Sequence, residues 1–284
     1  MRAIPGLVVA GVVLLALALW LRPDATRDAS SNGMRVASLL GDPRLPEGFA
    51  RATRPGAIRL PADHGPHPGF QSEWWYFTGH LDGPVGDQSD QQRRRFGFQL
   101  TFFRFATAPE PPERESAWAS NQLYMAHFAI TDVDGQRHRV SERFSRGAAG
   151  LAGARAEPFE VWLDDWQAVS QGESFLPLRL DARDADLGLK LRVEPGKPPV
   201  LQGDQGLSRK GPEPGNASYY YSYTRLPVSG LISLGGDDIA VRGEAWLDRE
   251  WSSSSLGAGV QGDLDGNRRT ELALVLADAR ADGR

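Results

Sequence analysis

The sequence predicts an all-β protein built as an antiparallel barrel or sandwich. Apolar and polar residues alternate at period two in several segments, turn residues separate those segments, and no helical periodicity is visible before Thr270. The clearest alternation is Leu176, Leu178, Leu180 and Ala182, followed after a short polar turn by Leu187, Leu189, Leu191 and Val193. Arg179, Asp181, Lys190, Arg192 and Glu194 lie between them, so one face of this hairpin is wet. In Arg95 to Leu100 the alternating residues are Phe96, Phe98 and Leu100; Phe102-Phe103 then shifts the phase, which implies a bulge or burial on both faces. Asp134-Gly135 and Gly235-Gly236-Asp237-Asp238 mark two further hairpins. About nine strands are expected, and punctuation this dense favours a sandwich or an up-and-down barrel.

The 284 residues suffice for one large β domain or two smaller ones. The 32 basic and 36 acidic residues are mixed along the chain, giving a net charge of -4 and no basic face for nucleic acid. Without cysteine there are no disulfides, no cysteine-ligated zinc, no thiol nucleophile and no lipidated cysteine. From Ile4 to Leu21 the chain is apolar, between Arg2 and Arg22. Residues 1–22 therefore read as a signal peptide or an uncleaved membrane anchor, implying a periplasmic or other extracytoplasmic location. Residues 23–65, polar and rich in Pro, Gly and Ala, read as a flexible tether.

Three segments carry more aromatic residues than a plain core requires. Glu73-Trp74-Trp75-Tyr76-Phe77 sets a carboxylate beside four large rings, so a strand here sends two rings to each side. Either a second sheet covers the far side, or one pair lines a cavity. Tyr219, Tyr221 and Tyr223 share one strand face, with Tyr220 on the other; buried phenols need hydrogen-bond partners. In the third segment Arg242, Glu244, Trp246, Asp248 and Glu250 share a face, followed by Trp251. That face is either a solvated ladder or a partly buried carboxylate group beside an indole, where a raised pKa would make an acid. His127, on the face of Leu123 and Met125, is a core histidine or a cavity donor. The candidate catalytic residues are thus Asp248, Glu73 and Glu250. The candidate ligand-binding residues are Trp74, Trp75, Tyr76, His127, Tyr220, Trp246 and Trp251.

Five ordered motifs carry a family resemblance: Ser72-Glu73-Trp74-Trp75-Tyr76, Gly97 to Arg104, Met125-Ala126-His127-Phe128-Ala129, Ala217 to Ser222, and Trp246 to Trp251. Together, from about Pro66 to Ser255, they resemble the AttH-like family, the lipocalin-like group related to carotenoid 1,2-hydratase (hydroxyneurosporene synthase) whose members are often labelled predicted secreted hydrolases. The resemblance implies two lipocalin-like β halves meeting at an interface. Residues 66–225 would form the first half and 226–284 would begin the second, with Glu73, Asp248 and Glu250 near the interface. It also implies functions ranging from hydration to ligand binding beside ABC exporters. After Ser255 the chain departs from the family's Gly-Trp-Asp-Trp continuation: Gly257 to Arg269 is polar and glycine-rich, so the second half is expected to be divergent or truncated.

A serine hydrolase is disfavoured because no Gly-x-Ser-x-Gly elbow is present, and His64 and His67 are the only histidines with suggestive spacing for a metal. No motif calls for a cofactor. Two functions stay open. One is hydration of an alkene in an apolar isoprenoid or lipid-like ligand, which needs a carboxylic acid held neutral beside aromatic faces that stabilise a cation. The other is a carrier or exporter-associated component that holds the same ligand unchanged.

Overall fold

The computed structural model describes residues 47–84, 93–113 and 115–253. Thirteen antiparallel strands follow a single 3-10 turn, Ala62–His64, and no α-helix occurs among the described residues. They are β1 (Ser72–Pro84), β2 (Arg93–Ala106), β3 (Gln122–Asp132), β4 (Arg137–Arg146), β5 (Ala152–Ala156), β6 (Phe159–Leu163) and β7 (Trp166–Ser170). There follow β8 (Leu178–Asp184), β9 (Leu187–Val193), β10 (Val200–Leu201), β11 (Leu207–Arg209), β12 (Ala217–Leu234) and β13 (Asp237–Ser252). All belong to one sheet in the order β4-β3-β2-β1-β13-β12-β9-β8-β7-β6-β5, with β10 and β11 paired to β12.

The sheet curls into a nearly closed, lipocalin-like barrel because most strands carry one apolar side; β4, with Arg139, Ser141 and Arg143 on that side, is the exception. Trp75, Phe77, Leu100, Phe102, Phe128 and Leu247 from β1, β2, β3 and β13 meet Val161, Trp166, Leu180 and Leu191 from the other limb in one core. Phe128 and Trp166 touch edge to face across it, with centroids 5.7 Å apart. Among the described residues no ladder joins β4 to β5. Side chains span the gap instead: Arg139 pairs with Asp186 at 2.7 Å, Arg143 pairs with Asp165, and the Arg143 guanidinium lies 4.4 Å over the Trp166 ring.

The expected hairpins form. Gly235 and Gly236, at φ of 72° and 94°, make the two-residue link from β12 to β13 that right-twisted strands favour. β8 and β9 pair along their full lengths, placing Leu178, Leu180, Ala182, Leu187, Leu189, Leu191 and Val193 in the core. Phe102-Phe103 forms no bulge: the β2 register is unbroken, with Phe102 buried and Phe103 half-buried on the opposite face. The irregularity falls between Tyr223 and Leu226 in β12.

Two expectations about organisation are corrected. Residues 47–65, assigned to a flexible tether, pack against the barrel: Phe49, Ala52, Ile58 and His64 are buried, and Ala50 N–H donates to the Gly69 carbonyl at 2.8 Å. Residues 226–253, assigned to the start of a second half, complete the first sheet, because β12 runs through that boundary and β13 pairs with β1. The apolar run Ile4 to Leu21, the rest of the tether, the departure after Ser255 and the region beyond Thr270 lie outside the described residues. Among the described residues no helix is long and apolar enough to cross a membrane.

The β1–β13 ladder, which joins the two limbs, is so close at Gly79 that a Cβ there would lie 2.3 Å from the Glu244 carbonyl oxygen. Neither strand can yield without disturbing its other partner. Gly79→Ala is therefore expected to cost about 2 kcal/mol, read as a lower denaturant midpoint at unchanged slope.

Candidate functional site

Alternation along β1 divides the predicted residues between two faces. Glu73, Trp75 and Phe77 point into the barrel with Arg104 of β2 and Arg249 and Trp251 of β13. Trp74, Tyr76 and Thr78 point outward, level with Glu250, Asp248 and Trp246 of β13. The candidate carboxylates Glu73 and Asp248 therefore never share a cavity. Trp75 and Trp251 likewise belong to the core, not to a wall shared with Tyr220 and Trp246.

Inside, Glu73 is completely buried between two guanidinium groups: Arg104 Nε contacts one carboxylate oxygen and Arg249 Nη2 the other. The backbone N–H of His67 donates to both oxygens at 3.0 and 3.1 Å. Several of the remaining guanidinium donors reach the His64–Phe70 segment, while Arg104 Nη1 donates to Gln122 Oε1 and Arg249 Nη1 to the Trp74 and Glu250 carbonyls. Arg104 Nη2 donates to the carbonyls of His67 and Phe70 at 2.9 and 2.7 Å, and Arg249 donates to those of His64 and Gly65. Arg249 also lies 4.0 Å over the Trp75 ring, and His67 stacks on Trp251 at 3.8 Å. Burial pushes the Glu73 carboxyl up, but Arg249 and Arg104, with His67, outweigh it and hold the group well below the usual carboxylate range. Pairing with both arginines thus favours the Glu73 anion over the proton donor expected from the sequence.

Tyr221, buried next to this cluster, has its hydroxyl 2.6 Å from His64 Nδ1. Burial and the Arg249 charge draw the His64 pKa down to about 3, so its ring is neutral. Tyr219 accepts hydrogen bonds from the backbone N–H groups of Thr53 and Arg54. The inward tyrosines thereby fasten the 47–65 segment.

Outside, the register aligns three rows across the strands. The first runs Phe144, Met125, Phe103, Trp74, Glu250, Tyr220 from β4 to β12. The second, one step along, is polar: Glu142, His127, Thr101, Tyr76, Asp248, Ser222. The third includes Val140, Ala129, Gln99, Thr78 and Trp246. Trp74, Tyr76, Phe103, Met125, His127, Tyr220, Trp246 and Asp248 are all half-buried.

Asp248 is the focus of the polar row. One of its oxygens accepts from Trp246 Nε1 at 2.6 Å and from Ser222 Oγ at 2.5 Å, and Gln202 Nε2 donates to Ser222 Oγ at 2.9 Å. Burial, then the negative charge of Asp248, pushes the Tyr220 phenol well above its ordinary pKa, so Tyr220 is a neutral donor beside a carboxylate. Glu250 is buried and ion-paired to Lys210 at 2.7 Å, with an orientation short of hydrogen-bond geometry. Lys210 also lies 5.5 Å from the Tyr220 ring centroid. His127 Nε2 lies 3.5 Å from Glu142, and its ring meets Phe103 edge to face at 5.3 Å.

Sequence reasoning named Asp248, Trp246, Tyr220, Trp74, Tyr76 and His127 as candidates, and placed only Trp246 and Asp248 on a shared strand face; the cross-strand rows come from the register. It did not assign roles to Arg104, Arg249, His64, His67, Ser222 or Gln202. Arg104 did carry a signal: it shares strand parity with Leu100 and Phe102, so a core-facing cation required a core-facing anion, and Glu73 has that parity on β1. Among the described residues no group of three His, Asp or Glu is placed to hold a metal ion.

The comparisons with known proteins agree with this architecture. The AttH-like family model matches residues 51–264. The crystal structure of a Nitrosomonas europaea protein assigned as an AttH is similar, with 37% identity and a TM-score of 0.62; the alignment covers 74% of this chain and 60% of that one. Kievitone hydratase from Nectria haematococca shares the fold at 12% identity and a TM-score of 0.51, over 74% of this chain and 57% of that one. No functionally curated protein matches.

The Glu73 cluster generates a stability prediction. Glu73→Gln leaves two buried guanidinium groups without their anion and is expected to cost roughly 3–5 kcal/mol. The native carboxyl has its pKa depressed below the unfolded value near 4.5. Its contribution is therefore complete above that value and declines as pH falls through and below it. Denaturation series at pH 7 and pH 3 should show the wild type losing more stability than Glu73→Gln between the two.

Proposed function

Because this chain belongs to the AttH-like family, we propose that it binds an apolar, isoprenoid- or lipid-like ligand on the outward aromatic face, with Asp248 accepting a hydrogen bond from the ligand's hydroxyl group. The observation that carries this reading is the polar row from His127 to Ser222 lying between rows that hold Phe103, Trp74 and Tyr220 on one side and Trp246 on the other. Aromatic surface supplies affinity for an extended apolar molecule, and one oriented carboxylate supplies direction. Trp246 and Ser222 fix that carboxylate through one oxygen.

Hydration of an alkene is the second reading, favoured by one observation: Asp248 sits beside the neutral Tyr220 hydroxyl. In that reading the protonated Asp248 carboxyl gives its proton to the alkene carbon and takes one back from the water that adds to the resulting cation, with the Tyr220 hydroxyl holding that water. Glu73 takes no part, being buried on the opposite face, and Glu250 is paired with Lys210. The same proposal places the body outside the cytoplasm behind the Ile4 to Leu21 segment, in reach of an ABC exporter.

Titrating the full chain with farnesol and with the hydrocarbon farnesene, followed by tryptophan fluorescence, tests the binding site. Trp246→Ala removes apolar contact from a half-buried ring and is expected to weaken both ligands by about 1–2 kcal/mol. Asp248→Asn is expected to weaken farnesol alone, by about 1 kcal/mol or more. Equal farnesol affinity in wild type and both variants would remove this face from the site. Incubation in oxygen-18 water then separates the readings, since only a hydratase leaves label in the recovered alcohol.

A further inference from the structure

A cavity of about 240 Å³ lies between the 3-10 turn, the β5–β6 link and the loop before β8, and shares no lining residue with the Asp248 face. Phe159, Phe175 and His64 form its aromatic part, and Glu157, Glu173 and Ser174 line it as exposed residues. Phe159 meets Phe175 edge to face at 4.9 Å, and His64 stacks on Phe175 at 3.6 Å. His64 is 3% exposed. Its Nδ1 is engaged by the Tyr221 hydroxyl, so the ring's other nitrogen is the polar atom left to the cavity it lines.

The charge around this space is one-sided. Among the described residues neither Glu157 nor Glu173 has an ion-pair partner. The nearby Arg155 is committed to Glu160 at 2.5 Å, and no Lys or Arg lines the cavity. Two carboxylates and an aromatic floor favour a cation. No group of three His, Asp or Glu among the described residues fits a metal ion, which directs the reading to an organic one. Its volume is below the range of drug-sized pockets, about 300–1,000 Å³, and suits a small metabolite.

We infer that this cavity binds a small organic ammonium ion carrying a hydrogen-bond acceptor, with Glu157 and Glu173 facing the charge, Phe159 and Phe175 the alkyl groups, and His64 donating to the acceptor. Substituted ammonium ions are weakly hydrated and gain from aromatic surface as well as from carboxylates, a combination a neutral molecule cannot use.

Calorimetric titration of the full chain with choline, tetramethylammonium and 3,3-dimethyl-1-butanol tests the inference. The last is the uncharged carbon counterpart of choline. Choline is expected to bind saturably, tetramethylammonium more weakly for want of an acceptor, and the neutral alcohol not measurably. Glu157→Gln combined with Glu173→Gln, both on exposed side chains, should retain the wild-type melting temperature and lower choline affinity about tenfold. His64→Gln should bring choline down to the tetramethylammonium level. Absence of saturable choline binding, equal binding of the neutral alcohol, or unchanged affinity in the double variant would each overturn the inference. Farnesol affinity at the outward face should be unaffected by the double variant, so the two sites succeed or fail separately.

Discussion

The packing of the His64–Phe70 segment against the barrel depends on one carboxylate. Glu73 lies on β1 between Arg104 on β2 and Arg249 on β13, so three adjacent strands meet through a single buried anion. Two cations against one anion leave an excess positive charge in a dry interior, an arrangement that normally destabilises. Here the surplus donors end on neutral oxygens, most of them main-chain carbonyls of the His64–Phe70 segment and the rest Gln122 Oε1 and the Trp74 and Glu250 carbonyls. The ion cluster thus turns a polar, proline- and glycine-rich stretch into part of the wall, because each carbonyl that satisfies a guanidinium also fixes the backbone that bears it.

That arrangement explains why the two faces of β1 have different chemistry. Inward, charges are consumed by one another, and the carboxylate is held far from any pKa useful for proton transfer. Outward, Asp248 is held by neutral donors only, the indole of Trp246 and the hydroxyl of Ser222. An anion surrounded by neutral donors keeps its capacity to interact with a further donor. An anion locked between cations does not. Consecutive residues of Glu73-Trp74-Trp75-Tyr76 therefore serve stability and recognition in turn.

How much of this was legible in the sequence follows from the range of the interactions concerned. Strand alternation and the Gly235-Gly236 turn are local, and both were readable as written. The short strands β5, β6 and β7 were not, because their links, Glu157-Pro158 and Asp164-Asp165, lack the glycine or asparagine that usually marks a tight turn. The boundary at residue 226 was misplaced for a different reason. Placing β13 beside β1 is a pairing between residues about as far apart as the described chain allows, and no local signal encodes it. The same distance hid the site: Asp248 and Tyr76 become neighbours only through that pairing, while Glu73 looked equivalent to Asp248 because both adjoin tryptophan.

The gap between β4 and the opposite limb gives the barrel a mechanical direction. A sheet closed by hydrogen-bonded ladders resists expansion equally all the way round. This one is a ring cut once and laced by Arg139–Asp186 and Arg143–Asp165, exposed pairs of opposite charge. Added salt screens such pairs and leaves ladders almost untouched. Rising ionic strength therefore weakens the lacing on this side alone, while the buried contact of Phe128 with Trp166 still holds the two limbs together.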